Sequence, residues 1–339
     1  MRKTALAAAL ALMGCREKAA PQPTPAPLPA PQPQAAPQRS AADCEAPLDA
    51  PGSREKLRER KGEVRIGVLA GLKEADEDNL VWLRRLVAEL KQRNADVIVA
   101  DGDLGDNPDE QETLLGALVE SGLPVVVAAG NREVRAELDA AEGELRKKSA
   151  RIVDLSHTRI VDLGDATLVG LPGAFERRQL HSEGACIYVQ KDIEAVASAL
   201  EHVQQPAVLV AAVPPRGTDK KALDASEGQN LGDARLNVLL RRAPFGIFGQ
   251  VWEAGGRAVD GRGKPVPPAA ESDQLYLNPG AADQTPWPMS DGTISTGQAA
   301  LLTIRGRKAS WEKIVPTEEP ALPATGGGRR PEHPTEDKR

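Results

Sequence analysis

The chain has 339 residues, with 43 Lys and Arg against 49 Asp and Glu for a formal charge of −6. That balance, without a basic stripe, speaks against a nucleic-acid binder, and no apolar run reaches the ~20 residues of a membrane-spanning helix. A chain of this size hides roughly three quarters of its unfolded surface, which leaves material for one large domain or two ordinary ones.

Residues 1–14 have the pattern of an export signal. Arg2 and Lys3 form a short positive region, and residues 4–13 are almost entirely Ala and Leu. Leu12-Met13-Gly14-Cys15 then resembles a bacterial lipobox. The resemblance implies cleavage before Cys15 and acylation of its thiol, hence a membrane partner and a place in the bacterial cell envelope. Two or three acyl chains anchor stably where one holds only marginally. Arg16 stands where an Asp would retain an enteric lipoprotein in the inner membrane, so the outer membrane is favoured. A plain secretory signal with an incidental Cys15 is the alternative.

Residues 15–62 are expected to form a flexible tether. Within them, residues 21–38 hold 8 Pro in 18 positions; Pro fixes φ and lacks the amide donor, so this stretch favours extended polyproline II at about 3.1 Å per residue. The tail, residues 317–339, is rich in Gly, Pro and charge and is expected to be disordered. The folded body is then residues 63–316. Cys44 and Cys186 either form a disulfide, stapling the tether to the body, or remain two thiols.

Along the body, strand and helix patterns alternate. Residues 63–70 (EVRIGVLA) form a β-branched apolar run. Residues 78–93 place Leu80, Leu83, Val87 and Leu90 at helical spacing. Residues 96–101 (DVIVAD) are a second buried strand, and Asn107-Pro108 opens a helix to about residue 121 as N-cap and first helical residue. Residues 124–129 (PVVVAA) are a third strand, and 132–148 a charged amphipathic helix. Extended runs follow at 159–161, 166–171 and 185–189, then a helix at 192–203 and a buried strand at 207–213. A helix near 233–241 leads to a strand at 245–248. Residues 274–277 and 299–304 are strands, and 308–315 alternates as an edge strand does. This order implies right-handed crossovers and two sheets flanked by helices.

In open α/β folds ligands gather beyond the carboxyl ends of strands. The strand ends here carry Gly71-Leu72-Lys73, Gly102-Asp103-Leu104-Gly105-Asp106, Gly130-Asn131-Arg132-Glu133, Ala212-Val213-Pro214-Pro215, Gly249-Gln250-Val251-Trp252 and Asn278-Pro279-Gly280. In order and spacing these resemble the calcineurin-like metallophosphoesterase superfamily over about residues 64–304. The family carries Asp-x-His, Gly-Asp-x-x-Asp, Gly-Asn-His-Asp/Glu, a His before a Pro turn, Gly-His-x-His and Asn-Pro-Gly at those places. The resemblance implies an α/β fold, a two-sheet α-β-β-α sandwich, and hydrolysis of phosphate esters with two divalent metals such as Mn, Fe or Zn.

The residues that would do this chemistry are mostly replaced. Asp103 and Asn131 keep two of the family's metal-ligand positions. The others correspond to Gly71, Lys73, Ala212, Gln250 and Trp252, and the family's catalytic His corresponds to Arg132. Gly and Ala offer no donor atom, and Lys and Arg offer no acceptor while charged. Composition agrees without any alignment: the family pattern asks for five His in the site, and the whole chain has four, at 157, 181, 202 and 333.

The expectation is therefore a metallophosphoesterase-like pseudoenzyme with no metal cofactor and no catalytic residue, binding an unknown ligand or an envelope protein. The alternatives are an active phosphoesterase with a rearranged one-metal site on Asp103, Asn131 and nearby acids, and an envelope spacer indifferent to changes at Lys73, Asp103 or Arg132. Several local readings stay open. Asp101, Asp103, Asp106, Asp109 and Glu110 either hold a hard cation or simply suit a helix N-terminus. Lys73, Asn131 and Arg132 form an anion pocket, or one of the cations pairs with Asp103. Trp252 plugs the former cavity or stacks on a ligand. His157 and His181 lie in loops, and residues 219–233 form a long polar loop near the site rim.

Overall fold

A computed structural model of the chain describes residues 52–148, 150–204 and 206–316; the expected export signal, Cys15, the expected tether up to residue 51 with Cys44, and the tail from residue 317 lie outside the described residues. The first element moves the boundary drawn from sequence. β1 (Arg54–Lys56), assigned to the tether on its polar composition, pairs in parallel with residues 160–162. Leu57 behind it is buried in the core, and the Arg58 guanidinium donates to the Leu163 carbonyl at 2.7 Å and to Asp165 at 3.0 Å. The partners that order this segment lie about a hundred residues away, beyond the reach of local composition.

β2 (Val64–Leu69), α1 (Glu77–Gln92), β3 (Val97–Asp101), α2 (Pro108–Val119), β4 (Val125–Ala128), α3 (Arg135–Lys147) and β5 (Ile152–Asp154) then repeat strand and crossover helix. Asp76 caps α1 by accepting from the Asn79 amide, and Asn107 caps α2 with Pro108 in its first turn. Leu83, Leu86, Val87 and Leu90 bury one face of α1. α3 begins at Arg135, not at 132, because residues 131–134 are held in a loop that turns Glu133 inward.

The chain crosses to a second sheet through β6 (Ile160–Asp162), β7 (Thr167–Gly170), α4 (Gln190–His202) and β8 (Ala207–Val210). Residues 185–189 make only isolated bridges, from Ala185 to Val134 and from Ile187 to Ala174, rather than the expected strand. A ribbon follows, β9 (Ala225–Ser226) against β10 (Gln229–Asn230), and then a 3-10 helix (Ala234–Arg241) capped by Asp233. β11 (Phe245–Ile247), β12 (Arg257–Val259) and β13 (Leu275–Asn278) complete the sheet. After a second ribbon, β14 (Trp287–Pro288) with β15 (Ile294–Ser295), the hairpin β16 (Ala299–Arg305) and β17 (Lys308–Ile314) returns to the first sheet.

The two sheets have the orders β17-β16-β2-β3-β4-β5 and β1-β6-β7-β8-β11-β13-β12. They pack face to face: Val64, Ile66, Val68, Val97 and Val99 share one cluster with Leu168, Val208, Val210, Phe245 and Ile247. The opposite face of the first sheet, with Ile98, Ala100 and Val127, packs on Leu83, Leu86, Leu114 and Leu138 of the helices. α4 and the 3-10 helix cover the outer face of the second sheet through Ile193, Val196, Leu236 and Leu239. Strands buried on both faces must be apolar throughout, which is why they appear as continuous runs in the sequence. Cys186 is buried and disulfide-bonded; Cys44, its expected partner, lies outside the described residues. Among the described residues no helix is long and apolar enough to cross a membrane.

Candidate functional site

The loops that follow β2, β3, β4, β8, β11 and β13 meet at one edge of the sandwich. The Gly71 amide donates to the Gly102 carbonyl at 3.1 Å, and the Lys73 amide to the Asp103 carbonyl at 3.0 Å. The amides of Gly249 and Gln250 both donate to the Ala212 carbonyl, and Asp283 donates to Gly71. A Cβ on Gly249 would lie 2.3 Å from the Asp101 carbonyl oxygen, and one on Gly71 would lie 2.9 Å from Trp252 Nε1, so the loops close on one another where the side chain is absent. The strand-end positions singled out in the sequence (71, 73, 103, 131, 132, 212, 250 and 252) belong to these loops.

Backbone strain concentrates here. Lys73 (φ 58°) and Asp103 (φ 57°) are two of five non-Gly residues in the left-handed region among the described residues. Each costs about 1–2 kcal/mol and persists only where surrounding bonds over-determine it. The bond from Lys73 N–H to Asp103 C=O joins these two strained residues directly.

The charges are arranged around a buried carboxylate. Asp103 is 4% exposed, and Arg132 Nε lies 3.2 Å from its Oδ1. The same guanidinium reaches Asp106 Oδ1 at 2.5 Å, and His181 Nε2 lies 3.4 Å from that oxygen. Of the two open readings for Lys73 and Arg132, the ion pair with Asp103 is made by Arg132. Burial pushes the Asp103 carboxyl up to about 6 against the opposing pull of Arg132, Lys73 and His181. The Trp252 N–H adds to that pull without reaching hydrogen-bond geometry. Asp101 is buried with both carboxyl oxygens unpaired; burial first, then Asp103 and Glu133, push its pKa well above the ordinary Asp value. Glu133 is pushed to about 7 by burial and Asp103, yet it accepts from the amides of Leu104 and Gly130 at 2.6 Å each. It ties the loop after β4 to the loop after β3.

Lys73 lies on the other side. Its ammonium sits 3.9 Å from the centroid of the Trp252 ring and 4.3 Å from that of Trp287, and the two indoles meet edge to face at 5.1 Å. Burial lowers the Lys73 pKa, with Asp283 and Asp103 working against it. Such a cation over aromatic faces contributes about 0.5–2 kcal/mol. Trp287 was not visible from any strand-end motif. The available signal was scarcity, since the chain has only 4 Trp.

Beside the indoles a cleft of about 630 Å³ is lined by Arg178, Gln179, Arg216, Asn230, Gln250 and Trp287, among others. Gln229, Asn230 and Leu231 bring the long polar loop to its rim. Gln179 Oε1, Gln250 Oε1, Trp252 Nε1 and Trp287 Nε1 are buried atoms of this lining without hydrogen-bond partners; outside the lining, Asn131 Oδ1 is also unpaired, while its Nδ2 donates to the Gln179 carbonyl at 2.7 Å. The acidic run at 106–110 is accounted for by the helix start: the Asp106 amide donates to Glu110 and the Glu110 amide to Asn107.

A two-metal centre does not fit these residues. Of the family positions only Asp103 and Asn131 offer donor atoms suited to it, and Asp103 is already held by Arg132. Lys73 and Arg132 place positive charge where a cation would sit. A different donor group exists among the described residues: Asp139, Asp154 and His157, with one ligand atom from each within 4.8 Å of the others. It includes no residue of the loops above.

No family model and no curated protein matches the chain. Solved structures match its fold. One crystal structure aligns with a TM-score of 0.56 at 17% identity, covering 74% of this chain and 99% of that one. A dimetal phosphatase from Danio rerio aligns at 14% identity, covering 75% of this chain and 99% of that one, with a TM-score of 0.45. Purple acid phosphatase PPD1 from yellow lupin (Lupinus luteus) seeds aligns at 12% identity over 75% of this chain and 52% of that one, also at 0.45. The fold is a mixed α/β sandwich of two sheets flanked by helices, as the motif order implied, and it is shared with the first of these structures.

Proposed function

We propose that this protein is an envelope lipoprotein whose metallophosphoesterase-type domain no longer hydrolyses phosphoesters and serves as a binding module. Its anchor is Cys15, its spacer the Pro-rich segment, and its binding place the cleft beside Gln250, Trp252 and Trp287. The observation that carries this reading is the Arg132–Asp103 ion pair. A guanidinium 3.2 Å from the retained carboxylate competes with any ion for the same oxygen. Hydrolysis by a metal pair needs water activated and the phosphoryl group clamped between two ions; Gly71, Ala212, Gln250 and Trp252 do not supply the ligands for that.

Binding is supported by the unpaired groups of the cleft. A buried polar atom without a partner costs about 1–3 kcal/mol. Gln179 and Gln250 offer acceptors and the two indoles offer donors, so a ligand with both donors and acceptors recovers several such terms.

The alternative of a one-metal phosphoesterase is favoured by one observation, the unpaired Oδ1 of Asn131 next to the retained Asp103 loop. Turnover of p-nitrophenyl phosphate and bis-p-nitrophenyl phosphate by the purified full-length chain with Mn²⁺ separates the two. The binding module gives no turnover above buffer. Turnover that Asp103→Ala abolishes overturns it.

A further inference from the structure

We propose that Asp139, Asp154 and His157 form a binding site for one divalent transition-metal ion, Zn²⁺ being the best match, separate from the strand-end loops described above. Asp154 is the last residue of β5, Asp139 lies in the second turn of α3, and His157 sits in the turn after β5. That turn is pinned: the amides of His157 and Thr158 both donate to the Asp154 carbonyl, at 3.1 and 2.8 Å. His157 Nε2 is thereby held 2.7 Å from Asp139 Oδ1 and 3.8 Å from Asp154 Oδ2.

The buried side of the cluster points to a cation. Asp154 is 1% exposed; its Oδ1 accepts from the Ser156 amide at 2.7 Å, while Oδ2, the oxygen facing His157, has no hydrogen-bond partner. Glu142, three residues beyond Asp139 on α3, is also fully buried. Its Oε2 pairs with Arg146 at 2.6 Å and its Oε1 is unpaired. Asp154 thus presents to His157 a buried carboxylate oxygen with nothing bonded to it. A divalent ion between Asp139, Asp154 and His157 supplies the missing positive charge at the Asp154 oxygen.

The donor set selects the ion. One imidazole with two carboxylates and an open side for water matches Zn²⁺, whereas Ca²⁺ and Mg²⁺ prefer all-oxygen cages. Arg135 sets the ion-free state of the ring. Its Nη2 lies 2.7 Å from His157 Nδ1, and a guanidinium can only donate, so Nδ1 accepts and the ring proton is on Nε2, directed at Asp139. Binding at Nε2 moves that proton to Nδ1, leaving the ring neutral, and sends the Arg135 guanidinium outward. Arg135 therefore competes with the ion.

The test loads the purified full-length chain with ZnCl₂ after EDTA treatment, removes free metal by desalting, and counts zinc by elemental mass spectrometry. About one Zn²⁺ per chain is expected. His157→Ala and Asp139→Asn, both at partly exposed positions that tolerate change, are each expected to cut retained zinc at least about tenfold. Arg135→Ala is expected to hold zinc at least as well as the parent. Asp103→Asn is expected to leave the count unchanged, which separates this site from the strand-end loops. Zinc near zero in the parent, zinc that survives both His157→Ala and Asp139→Asn, or zinc lost in Asp103→Asn overturns the proposal.

Discussion

Asp103→Asn is expected to stabilise the protein at neutral pH, although it alters a residue that the family resemblance assigns to metal binding. The Asp103 carboxyl titrates near 3.8 when exposed and is pushed to about 6 in the fold, chiefly by burial. A group whose pKa is raised by folding binds its proton more tightly in the native state. Its contribution is fully present below about 4 and is lost as pH rises through 6. About two pKa units at 1.36 kcal/mol each give a loss of about 3 kcal/mol by pH 7. The pull of Arg132 and Lys73 is already contained in that value. Asn has the same shape and no charge to desolvate, so the variant should equal the parent near pH 4 and exceed it by about 2–3 kcal/mol at pH 7. Urea unfolding of both proteins at a series of pH values measures this directly. Glu142 is common to both proteins and cancels in the difference, whereas Asp101 and Glu133 are raised partly by Asp103 and come down in the variant, which acts in the same direction. A variant that is destabilised at pH 7, or whose stability follows the same pH curve as the parent, would refute the claim that Asp103 is held ionised against its environment.

Leu57→Ala should cost about 2–4 kcal/mol, because Leu57 is buried in the inter-sheet core behind β1; a cost below about 0.5 kcal/mol in urea unfolding would return residues 52–62 to the tether. Gly249→Ala should cost at least about 2 kcal/mol or prevent folding, since the new Cβ would meet the Asp101 carbonyl oxygen at 2.3 Å and that neighbour is backbone. Lys73→Met should remove the cation from the two indoles, changing tryptophan emission while costing under about 2 kcal/mol; unchanged emission would contradict the cation–aromatic contact.

The architecture was legible because the strands buried on both faces must be apolar along their whole length. Residues 64–69, 97–101 and 125–128 announce themselves in that way. The strands that escaped were short or polar: β5 and β12 have three residues each, and β1 (Arg54–Lys56) is an exposed edge whose order comes from Leu57 and Arg58 meeting distant partners. The positions of the site were legible because Gly and Asn-Pro-Gly punctuate strand ends. Which partner each side chain takes was not. Sequence left Lys73 and Arg132 as equal candidates for Asp103, and the choice depends on a guanidinium reaching Asp103 and Asp106 together while the ammonium finds Trp287 from a segment some two hundred residues away. No spacing rule encodes that last contact.

The altered positions make sense as a set. The first Asp of the family pattern corresponds to Gly71, and its ligating His residues to Lys73, Ala212, Gln250 and Trp252. Under that resemblance, anionic and neutral ligands would be missing together. What remains is Asp103, paired with Arg132, Asp101, whose pKa burial pushes well up, and Glu133, which spends both oxygens on backbone amides. Only one carboxylate of this group needs a cation, and a monovalent guanidinium suffices. It follows that restoring a single ligand would not rebuild a metal centre: Arg132→His alone would take from Asp103 the guanidinium that opposes its burial. With its cation gone, Asp103 would titrate above 6, so the pH curve of Arg132→His should shift upward relative to the parent. An unchanged curve would mean that Arg132 contributes nothing to holding the charge.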